Sequence, residues 1–216
     1  MKQPLKLTPP ALFELAGHIQ TILPRGATRL IGIDGRCGAG KSTLARSLAD
    51  ALGVAQIIPL DDFPCRLDEH PFHPSGTQTH INWERARTEA LEPLLRGEQA
   101  RYRRTPWWMS QTGEPEPEVC LEPGLTTIVE GTTALRRQLR ELYDYRIWVE
   151  LPPAEALERA IERDGAHAIR DIFESVYYAH DNRYINRHHP ELAADLILET
   201  GPTRRVDLSA LLPASP

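Results

Sequence analysis

Apolar residues recur at two spacings along this chain. Leu12, Leu15, Ile19, Ile22 and Leu23 return every three or four positions behind Thr8-Pro9-Pro10. That tripeptide supplies a capping hydroxyl and prolines where a helix needs no amide donor, so a helix is expected until Pro24-Arg25-Gly26. Arg29–Asp34 is short and apolar and reads as a buried strand. Ser42–Leu52 places Leu44, Leu48 and Leu52 on one face and stops at Gly53, the pattern of an amphipathic helix. Ala55–Leu60 predicts a second strand. No period is visible over residues 61–82, and a segment of that length in a compact domain is usually functional or disordered. Helical spacing returns over Trp83–Leu95, with Pro93 near its end and Gly97 closing it. Arg101–Met109 and Val119–Leu121 predict two strands joined by a long polar turn. Strands are then expected at Thr126–Val129, Tyr145–Val149 and Leu196–Leu198, and helices at Ala134–Leu142, Pro153–Arg163 and Ala168–Ile185. Strands alternating with helices predict an α/β fold, a mostly parallel sheet covered on both faces.

Composition narrows the picture. A length of 216 residues suits one α/β domain, and 41% hydrophobic residues can fill a sizeable core. The net charge of −5 argues against nucleic acid or an anionic membrane as the main partner, since both favour a basic surface. Three scattered cysteines (Cys37, Cys65 and Cys120) suit free thiols in a reducing cytoplasm. The first residues lack the apolar core of a signal peptide, and no run is long enough to span a bilayer. A cytoplasmic location is expected.

Between the first strand and the second helix stands Gly-Arg-Cys-Gly-Ala-Gly-Lys-Ser-Thr at residues 35–43. Gly35-x-x-x-x-Gly40-Lys41-Ser42 has every required position of a phosphate-binding loop, in the strand-to-helix context that the loop requires. Glycines let successive backbone N–H groups converge on phosphate oxygens, and the new helix adds its positive end. The expected nucleotide site is Gly35, Cys37, Gly38, Ala39, Gly40, Lys41, Ser42 and Thr43. Lys41 would reach the β- and γ-phosphates, and the Ser42 hydroxyl would coordinate Mg²⁺.

Other polar residues fall where such a sheet binds ligands, beyond the carboxyl ends of its strands. Asp61 and Asp62 follow the second strand and could bind Mg²⁺ or take a proton from an acceptor hydroxyl. Glu130 ends the Thr126–Val129 strand and suits a contact to metal, water or acceptor. Arg159, Arg163 and Arg170 follow Tyr145–Val149; Arg159 and Arg163 lie one helical turn apart, as in a lid closing over a transferred phosphoryl group. His70, His73 and His80 with Cys65 match no common zinc spacing. Trp107 and Trp108, beside Arg103 and Arg104, are equally suited to stacking on a base, to the hairpin core and to a contact in a homo-oligomer. No Asn-Lys-x-Asp of a GTP switch and no Leu-Ser-Gly-Gly of an ABC-type motor occurs.

The ordered set of motifs resembles the uridine kinase-like family of P-loop kinases, related to phosphoribulokinase and bacterial pantothenate kinase. It comprises residues 35–43, Leu-Asp-Asp-Phe at 60–63, Asn-Trp-Glu-Arg at 82–85, Ile-Val-Glu-Gly at 128–131, Tyr-Arg-Ile-Trp-Val at 145–149 and Glu-Arg-Ala-Ile-Glu-Arg-Asp at 158–164. The resemblance implies a three-layer α/β/α P-loop sandwich with a lid and a small β-hairpin arm. It implies one domain over residues 1–216, with an N-terminal helix over 1–27, an acceptor-side loop, helix and hairpin over 61–123, and a lid over 159–187. ATP and Mg²⁺ would be the cofactors, and a hydroxyl of a small molecule the acceptor. Asp61 falls on the family's catalytic base, which also helps organise Mg²⁺. Glu130 falls on its Walker B-equivalent glutamate, and Arg159 and Arg163 on lid arginines. Aromatic surface and geometry add an expected acceptor pocket of His80, Trp83, Tyr102 and Trp107, with Glu130 and Arg170. The departures lie on the acceptor side. Asp62 stands where the family usually has serine, Thr-Pro-Trp at 105–107 where the hairpin has a Tyr-Asp-Phe-like patch, and Asn-Trp-Glu at 82–84 where it has Asp-His-Pro. A nucleoside of the uridine or cytidine kind is the first acceptor this implies. A vitamin, sugar or aminocyclitol is the alternative, as is a nucleotide-binding regulator with no small acceptor.

Overall fold

The computed structural model describes residues 5–6, 9–22, 28–53, 55–65, 81–104, 118–165 and 170–200. In chain order the elements are β1 (Leu5–Lys6), α1 (Pro9–Ile22), β2 (Arg29–Gly35), α2 (Lys41–Leu52) and β3 (Ala55–Pro59). A 3₁₀ turn, Leu60–Asp62, follows β3. Helix α3 then runs through Trp83–Arg85, a π-helical turn Ala86–Leu91 and Glu92–Leu95. Next come β4 (Ala100–Arg103), β5 (Glu118–Leu121), β6 (Thr126–Glu130), β7 (Tyr145–Glu150) and α4 (Pro153–Asp164). Helix α5 is continuous through Arg170–Ile172, a π-helical Phe173–Tyr178 and Ala179–His188. The short α6 (Pro190–Ala193) and β8 (Leu196–Glu199) complete the described chain.

Six strands form a parallel sheet in the order β1-β8-β7-β2-β6-β3. Alternate residues of each strand enter different cores, as the pleat requires. Ile31 and Ile33 of β2, Ile128 of β6 and Ile147 and Val149 of β7 pack against α1 and α2 through Leu15, Ile19, Leu44 and Leu48. Leu30, Val129 and Trp148 from the same strands face the other way, onto Leu91, Leu94, Leu135, Leu139 and Tyr184. This is the three-layer α/β arrangement expected from the sequence. The chain leaves β2 toward β3 on one side and reaches β7 on the other, so a crevice opens where these directions diverge, at the carboxyl end of β2.

Strands β4 and β5 pair antiparallel, Ala100 opposite Leu121 and Arg103 opposite Glu118, forming the expected hairpin arm. The chain departs after Cys65 and re-enters beside its departure point, where Pro64 and Ile81 form an antiparallel bridge. In α3, Pro93 has no N–H to give to the carbonyl four residues back, and the π-helical turn lies directly ahead of it. No helix among the described residues is long and apolar enough to cross a membrane.

One expected helix is absent. Residues 134–142 form successive turns and a 3₁₀ segment, Arg140–Leu142. Thr133 has φ 79°, which no α-helix accepts. The amides of Thr133 and Leu135 point instead at the Asp34 carboxylate, at 3.2 and 2.7 Å. Ala134, Leu135 and Leu139 still reach full burial from these turns, so the apolar spacing is satisfied without the helix.

Candidate active site

The loop from Gly35 to Gly40 lies at the carboxyl end of β2, and α2 begins at Lys41. Two glycines are required by geometry. Gly38 has φ 83°, and a Cβ there would stand 2.1 Å from the Ala156 carbonyl oxygen, so the loop rests directly on the first turn of α4. Gly40 caps α2 in the left-handed region, φ 96°. Among the described residues the N–H groups of Gly38 and Gly40 have no hydrogen-bond acceptor. The first amides of α2 are open by the nature of a helix start. A row of donors thus faces the crevice.

The loop is braced from outside. Cys37 N–H donates to Asp181 at 3.1 Å, and Arg36 donates to the Asn182 side chain at 2.8 Å. Thr200 donates to the Ala39 carbonyl at 2.7 Å. Lys41, nearly buried, folds back to the Arg36 carbonyl at 2.9 Å.

The expected polar residues gather unequally around this loop. Glu130 is buried at the end of β6, beside Ile33 of β2. Burial pushes its carboxyl above the ordinary value; the charge of Lys41 and a hydrogen bond from Ser42 oppose this, and the nearby Asp61 adds to it. Ser42, Lys41, Asp61 and Glu130 therefore share one field. Asp61 is exposed at the end of β3 and makes no hydrogen bond or ion pair among the described residues. Its neighbour is engaged: Asp62 accepts the Tyr102 hydroxyl at 3.0 Å and pairs with Arg104 at 3.1 Å. Tyr102 is 2% exposed and packs on Phe63, so it faces the core.

The three arginines stand apart in what they touch. Arg159 donates to the Thr200 carbonyl at 3.1 Å. Arg163 pairs with Asp164 and reaches the Cys37 sulfur at 3.9 Å, beside the loop. Arg170 is bidentate to Glu158, tying α5 to α4. Trp83 carries the Arg136 guanidinium 4.6 Å above its ring. His80 and Trp107 lie outside the described residues, as do His70, His73 and Trp108.

Oxygen donors fit Mg²⁺: the Ser42 hydroxyl and the carboxylates of Glu130 and Asp61 are hard ligands. Among the described residues no group of three or more His, Cys, Asp or Glu forms a metal cage of its own.

Asp34 was not among the residues expected to matter, although an acid inside the apolar run Leu30–Asp34 was a visible signal. Fully buried at the end of β2, it accepts the N–H of Gly35 at 2.6 Å and of Thr133 at 3.2 Å on Oδ1. Oδ2 accepts the N–H of Leu135 at 2.7 Å and the Tyr184 hydroxyl at 2.5 Å. Burial raises its carboxyl to about 6, against the lowering effect of Tyr184, the Leu135 and Gly35 amides and Lys41. His188 goes the other way. Burial and the charges of Arg136, Arg187, Arg137 and Arg140 bring it down to about 4.

These two groups predict opposite pH dependences of stability. A carboxyl raised on folding stabilises fully below its unfolded value of 3.8, and that contribution is lost as pH rises through about 6. The span is about two pH units, on the order of 3 kcal/mol. An imidazole lowered on folding contributes fully above 6.5 and loses its contribution as pH falls toward 4. Urea unfolding between pH 4 and 7 should therefore show stability rising more steeply with pH in Asp34→Asn than in the wild type, and less steeply in His188→Gln. A variant curve parallel to the wild type would mean that the group does not titrate in that window.

No family model matches the chain. It is 31% identical over 153 residues to the uridine kinase of Halobacterium salinarum, covering 66% of this chain and 65% of that protein. It is 27% identical over 187 residues to the phosphoribulokinase of a Synechocystis species, covering 82% of this chain and 55% of the relative. The chain thus spans less than two thirds of the length of either curated relative. Its fold matches the structure of a possible uridine kinase from Bacillus stearothermophilus with a TM-score of 0.67, at 17% identity, over 88% of this chain and 98% of that one. With the phosphate-binding loop at the centre of the parallel sheet, the chain is similar in sequence and fold to the uridine kinase-like P-loop kinases.

Proposed function

We propose that this protein is an ATP-dependent kinase that transfers the γ-phosphoryl group to a hydroxyl of a small molecule. The observation that carries this reading is the meeting of Lys41, Ser42, Glu130 and Asp61 at the carboxyl ends of three adjacent strands, beside a loop whose amides are open. Lys41 and the first amides of α2 hold the β- and γ-phosphates. Ser42, Asp61 and Glu130 are the residues that would hold Mg²⁺, which when bound neutralises phosphate charge. Asp61, exposed and without a fixed partner among the described residues, takes the proton of the acceptor hydroxyl. The acceptor oxygen then bonds to the γ-phosphorus as the bond to the β-bridging oxygen breaks, and ADP leaves. Arg159 and Arg163, beside the loop, stabilise charge on the transferred group. Asp62 holds the hairpin through Tyr102 and Arg104, and the hairpin and Trp83 border the acceptor space. Arg170 acts through its bond to Glu158.

The 31% identity to a uridine kinase supports a nucleoside of the uridine or cytidine kind as the first acceptor to test. The likeness to a phosphoribulokinase supports sugars and other non-nucleoside hydroxyl compounds as the second. ATP chemistry and three free thiols suit the cytoplasm. The test is ADP release from Mg-ATP with a panel of nucleosides, vitamins, sugars and aminocyclitols. One acceptor class should raise release at least about tenfold above the acceptor-free rate. Tight nucleotide binding with release indifferent to every acceptor would favour a nucleotide-binding regulator.

A further inference from the structure

A cleft of about 190 Å³ opens between the turns after β6 and the second half of α5. Its walls carry Arg136, Arg183 and Arg187 together with Thr133, Tyr184 and His188. The α5 residues share one helical face, at spacings of three and four. We propose that this cleft is an oxyanion subsite for the acceptor, so that the molecule phosphorylated here carries an anionic group, a phosphate monoester before a carboxylate, in addition to its reacting hydroxyl. The proposal rests on the kinase reading above for its ligand, and on the cleft alone for its chemistry.

Four observations support it. First, positive charge is concentrated there, with Glu84 the one carboxylate among the described residues that bears on Arg136 and Gln138 accepting its Nε–H at 3.1 Å. Many arginines of the described chain pair with carboxylates: Arg85 with Glu89, Arg87 with Glu92, Arg146 with Asp195, Arg170 with Glu158. Among the described residues Arg136, Arg183 and Arg187 form no ion pair, in a chain whose net charge is −5. Three guanidiniums around one cavity make its walls positive, and guanidinium geometry favours the several oxygens of a phosphate. Secondly, the neighbours register that charge: burial brings Arg136 down to about 10, with Arg187 adding to the effect and Tyr184 and Glu84 opposing it, and burial together with Arg136, Arg187, Arg137 and Arg140 lowers His188. A neutral His188 accepts the Arg137 N–H on Nδ1 at 3.2 Å, which leaves Nε2 as the N–H donor of the ring.

Thirdly, a hydroxyl is in reserve. The Thr133 Oγ1 is buried with no hydrogen-bond partner among the described residues, on a residue 2% exposed and held at φ 79°. A buried hydroxyl without a partner costs stability, and a bound oxyanion would supply one. Fourthly, the cleft adjoins the phosphate loop. Tyr184 and Thr133 line it, and both donate to Asp34, which also accepts the N–H of Gly35, first residue of the loop. Arg136 lies over Trp83 at the start of α3, so the cleft borders the acceptor side.

The test separates this inference from the kinase reading. Inorganic phosphate is titrated into the wild type, Lys41→Ala and the double variant Arg183→Gln/Arg187→Gln, with NMR signals of the Thr133 amide and the His188 ring as readout. Both substituted arginines are exposed on α5, and a second double variant, Arg183→Lys/Arg187→Lys, controls for folding. Saturable shifts of equal affinity in wild type and Lys41→Ala, weakened at least tenfold in the glutamine double variant and partly restored in the lysine one, are expected. Chloride at equal ionic strength should leave the signals in place, and acetate should act more weakly than phosphate. Unmoved signals, or equal responses in wild type and the glutamine double variant, would overturn the subsite; tighter binding of acetate would overturn the preference for phosphate. The second arm assays ADP release with acceptors in matched pairs, with and without a phosphate monoester. The glutamine double variant should raise KM for the phosphorylated member at least tenfold and leave KM for ATP within twofold. Turnover of neutral members alone, unaffected in that variant, would defeat the inference and leave the kinase standing. Phosphate binding in the cleft with no turnover of any acceptor would defeat the kinase and leave the anion site.

Discussion

Asp61→Asn is expected to lower kcat by about 10²–10⁴ while nucleotide affinity changes little. The substitution keeps the shape of the side chain and removes its basicity. Asp61 is exposed at the end of β3, has no hydrogen-bond partner to reorganise among the described residues, and lies in the field of Glu130. Its loss should therefore be felt in the chemical step and hardly in folding. Asp62→Asn is the matched control, because Asp62 binds Tyr102 and Arg104. It should lower Tm by loosening the hairpin and reduce kcat much less. Single-turnover rates and thermal melts on the two proteins decide the matter. A larger loss of rate in Asp62→Asn would transfer the proposed proton acceptor to that residue.

Lys41→Ala should cost at least about 10²–10³ in turnover, together with weaker Mg-ATP binding. The lysine acts through its surroundings as well as its charge. Its Nζ now satisfies the Arg36 carbonyl, and its charge holds down the carboxyls of Glu130 and Asp34. Removing it leaves two buried acids without their nearest cation, so both should take up protons more readily. Calorimetric titration with Mg-ATP and the ADP-release assay provide the readouts, and the wild type should also gain thermal stability from ATP that the variant does not. Wild-type affinity with wild-type turnover would remove Lys41 from the phosphate site.

What could be read from the sequence was what local spacing determines. The parallel strands were legible because Leu30, Ile31 and Ile33, or Ile128 and Val129, fill two cores at once and leave unbroken apolar runs. The phosphate loop was legible because its glycines and lysine are contiguous. Residues 134–142 were misread because the groups that capture their amides sit on Asp34, about a hundred positions earlier. The same reason hid Asp181 and Tyr184: nothing near them in sequence marks one as the acceptor for Cys37 and the other as a donor to Asp34. Nor does the sequence show that Asp62 and Tyr102, forty positions apart, share a hydrogen bond.

The Asp34 carboxylate also bears on the order in which the molecule can mature. Its oxygens gather amides from residues 35, 133 and 135 and a hydroxyl from residue 184, so its contacts close loops of about 100 and 150 residues. Loops of that length form late, because chain entropy is spent before any contact repays it. A nascent chain would display its whole Gly35–Ser42 segment before residues 133–135 and 184 are made, and would still lack the scaffold that fixes it. Until Tyr184 has emerged and docked, Asp34 lacks one of the donors that its buried position requires. The most recognisable motif of the protein is thus among the last parts to acquire its native surroundings.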